Sequence, residues 1–343
     1  MISRKQITST LEIFHLKNTA GYEAHVLNLG ATLTAFRMPD KEGKMENVVL
    51  GLPQPEDYLS DHPFLGSTIG RFGNRIREGK FQLNGHEFQV DQNLGKHHLH
   101  GGKTGFHTRI WEGEIKGDKL VLTYDSPDGE SGYPGNLTVK VSYELTDNCE
   151  LIIMFSATSD ADTHVNMTNH AYFNLCGDMK RDVKDHILQI HASRVTTVDE
   201  DLVPTGEYTS IVGTPLDFLQ PKRVGQDIEA EHELIRLAGG YDHNYALDRK
   251  MEGLFHAATL WEPESGRKLR TYTTQPGVQL FTSNGMADAF PESSGRNMIS
   301  NGGICLEPQH FPDSPNIPHF PSTLLKEGER YEETIMFKFG IEK

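Results

Sequence analysis

Cysteine is scarce in this chain of 343 residues: Cys149, Cys176 and Cys305 are far apart, and no Cys-x-x-Cys occurs. An odd, dispersed set argues against a disulfide framework and against a thiolate zinc site. It fits a reducing compartment. Positive charge is also short, with 33 Lys and Arg against 48 Asp and Glu and a net charge of −15. A nucleic-acid binder would normally carry a basic patch or stripe, and no Lys/Arg block appears, so no nucleic-acid partner is expected. Long apolar runs are missing as well. The N-terminal MISRKQITSTLEIFHL has no apolar stretch of signal-peptide length. Nothing approaches the roughly 18 apolar residues of a membrane span. No membrane partner is expected, and a cytoplasmic location is.

Helix signals are few. The best is 226–237, where Ile228, Leu234, Ile235 and Leu237 make an apolar stripe ended by Gly239-Gly240. Linkers, heptads and internal repeats are lacking, so a single domain over 1–343 is expected. Strand patterns dominate what remains. Leu137, Val139, Val141, Tyr143 and Leu145 alternate with Thr138, Lys140, Ser142 and Glu144, the period of a strand with one buried face. The runs 120–124 and 151–155 flank it, and further strands are expected at 187–190, 268–273 and 331–339. Asn84-Gly85 between 80–83 and 86–90 reads as a hairpin with a type I′ turn. Short strands punctuated by Gly, Pro, Asn and Asp indicate an all-β sandwich or barrel.

Seventeen histidines are present, and two segments concentrate the chemistry. In Lys96-His97-His98-Leu99-His100, an extended backbone puts His98 and His100 on one face. They fit a metal-ligand pair, a polar surface for hydroxyl groups, or plain satisfied histidines. In the segment 167–175, Asn169, His170 and Asn174 need partners if buried. His170 has the ordinary pKa, about 6.5, suited to proton transfer near neutrality; a capped loop explains the same residues. A third segment, 302–313, carries Glu307 before Pro308. That proline predicts that Glu307 stands at a strand end facing a cleft, although a solvent-facing Glu is the commoner case. Planar polar groups with an aromatic face, as at Gln279 and Phe281, suit a pyranose.

Taken in order, these segments resemble the aldose 1-epimerase (mutarotase) family. The matching runs are GRFGNRI at 70–76, HLHGG at 98–102, DGESGYPG at 128–135 and TNHAYFNL at 168–175. VPTGE at 203–207, PLDF at 215–218 and YDHNY at 241–245 follow. GVQLFTSN at 277–284, CLEPQHFPDSPN at 305–316 and FPS at 320–322 complete the series, with GF then W at 105–111 between the second and third runs. The resemblance implies a large antiparallel β-sandwich, or supersandwich. It also implies an isomerase that interconverts the α and β anomers of a free sugar such as galactose or glucose, with no metal and no cofactor. Carried over by residue, Glu307 is the base and His170 the acid, with His100 a second active-site histidine. A nearby carboxylate is expected to keep His170 protonated. Asn74, Arg75, Asp242 and Gln279 match sugar-binding positions, and Tyr172 and Phe281 supply wall or stacking surface.

Phe72-Gly73 and Ser283 depart from the family pattern. Three other readings stay open. They are a hexose-6-phosphate epimerase drawing on Arg71 or Arg77, a non-catalytic carbohydrate-binding protein, and a metal-dependent β-barrel enzyme using His98 and His100. Monomer and homodimer are both open.

Overall fold

A computed structural model describes residues 1–249 and 252–342. Its strands form three main sheets, all antiparallel. The largest has nine strands, and its middle is Lys119–Ser126, Leu137–Leu145, Glu150–Ser159, Arg330–Ile341 and Arg267–Thr273 in spatial order. A six-stranded sheet runs Tyr172–Phe173, Ile304–Gln309, Gly277–Phe281, Asp242–Ala246, Arg194–Val198 and Pro204–Ser210. A five-stranded sheet takes the first strands of the chain, from Ile2–Gln6 to Met45–Asn47.

Alternation drives the packing. Leu137, Val139, Val141 and Tyr143 are buried while Thr138 and Lys140 face water. Their cross-strand neighbours repeat the pattern, with Val141 opposite Phe155 and Tyr143 opposite Ile153. These side chains share one buried cluster with Leu33 and Phe36 of the five-stranded sheet and Val278, Leu280 and Leu306 of the six-stranded sheet. Burying an apolar side chain of this size stabilises by about 1.5–3 kcal/mol relative to exposure, so the apolar face of each sheet commits it to the others. The architecture is the antiparallel β-sandwich expected. The 80–89 hairpin forms too, with Asn84 and Gly85 both at positive φ (52° and 78°), as a type I′ turn requires.

Two expectations need correcting. The α-helix is only Glu233–Ala238, so 226–232 lies outside it, and it is closed by Gly239 at φ 65°. Ile228, Leu234 and Ile235 are buried, but Leu237 is 38% exposed, so the stripe is incomplete. Glu229, Glu231 and Glu233 crowd like charges into the first half, and the Glu229–Glu233 spacing of four is repulsive on a helix. Glu307, for its part, lies inside Ile304–Gln309 and not at its end, because the strand continues through Pro308. Pro308 pairs in register with Val278 on one side. On the other side Tyr172–Phe173 reaches only Ile304 and Cys305. Residue 308 therefore has one flank with no ladder to complete, where a residue without an N–H is tolerated.

His98, His186 and His243 are buried, and burial lowers each pKa to about 4. An unfolded His takes its proton near pH 6.5, so unfolding at pH 5 consumes protons that the native state refuses. Stability should fall as pH drops from about 6.5 towards 4, by up to about 1.4 kcal/mol per pH unit for each such group, and these groups add no further loss below that. Melting temperatures followed by circular dichroism from pH 7 to 4 check this; a flat profile would contradict it.

Candidate active site

Strand periodicity assembles the polar floor of a cleft. Asp242–Ala246, Gly277–Phe281 and Ile304–Gln309 are neighbours, and their register sets Gln279 directly opposite Glu307. Asp242 stands opposite Phe281. Residues two apart on a strand share a face, so Asp242, Gln279, Phe281 and Glu307 all project to one side. Tyr172 joins from the strand beyond, and His170 sits two residues before it. The remaining wall comes from the first motif and the histidine segment. Their short strands Arg75–Ile76 and His98–Leu99 pair, with Leu99 opposite Arg75. The resulting cleft has a volume of about 360 Å³. Larger hollows of about 610 Å³ beside the N-terminus and about 560 Å³ around Tyr58 and His107 gather no comparable acid–base pair.

All nine residues expected from the sequence line this cleft: Asn74, Arg75, His100, His170, Tyr172, Asp242, Gln279, Phe281 and Glu307. Phe64, Leu99 and Met286 also line it and were not anticipated. Phe64 is the most telling of these, with its ring 4.7 Å from that of His100 and 5.9 Å from that of His170. Its φ of 58° is unusual for an aromatic residue and turns the 60–66 loop at the rim. No motif marks it beyond an aromatic that directly follows Asp61-His62-Pro63.

The centre of the cleft is a pair of buried ionisable groups. His170 Nε2 lies 3.6 Å from Glu307 Oε2, and the two side chains are only 5% and 2% exposed. The His170 imidazole stacks on Tyr172, ring centres 5.0 Å apart, and its Nδ1 lies 3.5 Å from Cys305 Sγ. Tyr172 spends its hydroxyl on the Pro63 carbonyl at 2.9 Å, so its ring is what it offers the site. Burial drives the pKa of His170 down to about 4, with the Asp242 charge opposing. Burial and then the Asp242 charge push Glu307 well above the usual carboxylate range, with Arg75 opposing. The expectation that a carboxylate keeps His170 protonated is therefore corrected. Loss of water outweighs the neighbouring charges and disfavours the charged form of each group, carboxylate and imidazolium alike.

The sugar-binding candidates form a chain of their own. Gln279 Nε2 donates to Asp242 Oδ1 at 2.5 Å, and Arg75 Nη2 lies 3.6 Å from Asp242 Oδ2. The Asn74 Oδ1 accepts from the Arg75 backbone N–H at 2.9 Å. Arg75 Nε, Gln279 Oε1 and Glu307 Oε2 are buried and lack any hydrogen-bond partner. Such groups are costly to leave unpaired, and a donor and two acceptors converging on one cleft suit a ligand rich in hydroxyls.

His100, His170 and Glu307 each bring one potential ligand atom within 4.8 Å of the others. Tautomer chemistry disfavours a metal here. His100 Nδ1 accepts the Asn74 backbone N–H at 3.1 Å, which places the imidazole proton on Nε2, so Nε2 is a donor to the cleft and not a lone pair for a cation. The pairing of His98 with His100 fails for another reason. His100 turns away at φ 50°, and the His98 ring nitrogens are taken by the Asp91 carbonyl and the Tyr133 hydroxyl, both at 2.7 Å.

The other cations considered are also engaged. Arg71 is buried and bonded to the Ser126 hydroxyl and to the carbonyls of Ser126, Pro127 and Pro134. Arg77 pairs with Asp199 at 2.8 Å. Neither lines the cleft. Ser283 keeps a positive φ of 48°, and its hydroxyl bridges the Gly303 carbonyl and N–H at 2.9 and 3.0 Å, which holds the strand ends beside the site.

A family model described as Aldose 1-epimerase matches residues 12–338. Galactose mutarotase from Bos taurus is 40% identical over 332 residues, 97% of this chain and 95% of that one. The crystal structure of a GalM/aldose epimerase homologue from C. elegans superposes with a TM-score of 0.89 at 29% identity, over 96% of this chain and 98% of that one. That of galactose 1-epimerase from Lactobacillus acidophilus NCFM gives 0.86 at 30% identity, over 100% and 99%. The chain belongs to the aldose 1-epimerase family.

The donor tautomer of His100 predicts that exhaustive dialysis against a chelator leaves turnover unchanged. Loss of activity that returns with a divalent cation would contradict it.

Proposed function

We propose that this protein is a mutarotase that interconverts the α and β anomers of free aldohexoses such as galactose and glucose. The observation that carries the proposal is the buried His170–Glu307 pair, 3.6 Å apart on the floor of a cleft lined by unpartnered polar atoms. Anomer exchange needs a proton to leave the C1 hydroxyl while another reaches the ring oxygen. The C1–ring-oxygen bond breaks, its electrons stay on the oxygen that is protonated, and C1 becomes an aldehyde. Rotation about the C1–C2 bond and closure on the other face give the second anomer. The two proton transfers cancel, so a pair holding one proton in total is enough.

In this reading Glu307 takes the proton of the C1 hydroxyl and His170 donates to the ring oxygen. Hydroxyl donors of the bound sugar supply the hydrogen bonds that an ionised Glu307 needs, and the shared proton then sits on His170. His100 Nε2–H faces the cleft as a fixed donor to an oxygen near the reacting bond. Asn74, Arg75, Asp242 and Gln279 bind ring hydroxyls, while Tyr172 and Phe281, with ring centres 6.1 Å apart and set edge to face, supply apolar walls.

A hexose-6-phosphate substrate is disfavoured because Arg71 and Arg77 are committed elsewhere and Arg75 already faces Asp242. A purely sugar-binding role does not call for a desolvated acid–base pair. A cytoplasmic enzyme, monomeric or homodimeric, completes the proposal; its three cysteines are all free, and among the described residues no helix is long and apolar enough to cross a membrane.

Polarimetry of freshly dissolved α-galactose tests the pair. Glu307→Gln and His170→Asn should each lower kcat by about two to four orders of magnitude, and near-normal turnover in either variant would refute the assignment. Glucose 6-phosphate should react far more slowly than glucose. A second test follows from protonation. Activity requires the pair to hold one proton, so kcat/KM should fall below about pH 4, where His170 also becomes charged, and fall again above the raised pKa of Glu307. A profile that stays flat as the pH falls through 4 would contradict it.

A further inference from the structure

The 305–316 segment contributes Glu307 to the cleft, yet its second half, HFPDSPN, has no part in the proposed chemistry. Within it Asp313 is 1% exposed and adopts φ 57°. A non-glycine residue in the left-handed region is uncommon, although Asp tolerates it better than most. Its contacts reach the short strand that carries Arg75 and the residue that follows it. The Asp313 backbone N–H donates to the Arg75 carbonyl at 2.8 Å. Its Oδ1 accepts the Arg77 backbone N–H at 2.9 Å and the Asn316 side-chain amide at 2.7 Å. One residue thus grips the backbone on both sides of Ile76. The Arg75 side chain reaches Asp242 in the cleft, and Arg75 pairs in register with Leu99, immediately before His100.

We propose that Asp313 is a positioning residue for sugar recognition: it staples the Arg75 strand to the Glu307 segment and so sets the distance between the sugar-binding arginine and the acid–base pair. This rests on the mutarotase reading of the site. The physical case is one of register. Glu307 is fixed by the six-stranded sheet, whereas Arg75–Ile76 belongs to a separate sheet of only two strands. A two-stranded pair is marginal by itself, so its placement against Glu307 depends on side-chain clamps. Asn166 supplies a second one: its amide donates to the Gly73 and His310 carbonyls, both at 3.2 Å. Asp313 is the clamp next to Arg75 itself.

The experiment compares Asp313→Ala, Asp313→Asn and wild type for KM and kcat by polarimetry, for galactose Kd by calorimetry and for melting temperature. Asp313→Ala should raise KM and Kd about tenfold while kcat stays within about threefold, because binding geometry is lost and the acid–base pair is not. Asp313→Asn keeps an acceptor for the Arg77 N–H and should restore KM to within about threefold of wild type. Asp313→Glu keeps the charge but displaces the acceptor; it should raise KM and covers the case in which the alanine variant does not accumulate. In an Arg75→Ala background, Asp313→Ala should change KM no further. A lower melting temperature with unchanged KM and Kd, or additive effects with Arg75→Ala, would overturn the proposal. Wild-type protein that fails to mutarotate galactose would refute the underlying reading instead, and the clamp would still be judged from the Kd ratios.

Discussion

A carboxyl group and an imidazole held 3.6 Å apart and nearly out of contact with water have room for one proton between them. Everything else at this site is arranged around that constraint. Charging either partner alone is opposed by burial, which raises the Glu307 pKa and lowers that of His170. Burial thus shifts the two groups in opposite directions, the carboxyl towards holding a proton and the imidazole towards releasing one. A pair that holds one proton in total can take one from a substrate at one end and return one at the other. That suits a reaction whose forward and reverse steps are chemically the same.

Rigid surroundings make such a pair possible. Glu307 sits mid-strand and opposite Gln279, where the ladder fixes its direction. His170 is held by its backbone, which donates to the Ser67 carbonyl and accepts from the Gly66 N–H, each at 2.9 Å. The imidazole is sandwiched between Tyr172 and Phe64. The six-stranded sheet that supplies the floor is itself held by its apolar face, where Val278, Leu280 and Leu306 join the common core. Alternation along the same strands thus directs one face to stability and the other to chemistry.

Much of this was legible in the sequence. The period-two pattern at 137–145 and the Asn84-Gly85 turn identify strands and a hairpin because side-chain direction and turn geometry are local properties. The site was legible only through ordered motifs, since His170 and Glu307 lie 137 positions apart (307 − 170) and no local rule joins them. What escaped is physical and non-local. Pro308 suggested a strand end, but whether a missing N–H matters depends on whether a neighbouring strand is there. The protonation of His170 was misjudged because charges are visible in a sequence and burial is not. Phe64 reaches the cleft by a loop turn that no motif announces. Leu237 was assigned to a buried stripe that its helix is too short to complete.

The central claim is that Glu307 and His170 work as one proton-holding unit. The most direct test is the kcat of Glu307→Gln/His170→Asn beside the two single variants, read by anomer exchange in NMR. Two parts of one unit give strongly non-additive losses, so the double variant should be no slower than the slower single variant by more than about tenfold. Losses that multiply in full would contradict the account and assign the two residues to independent roles.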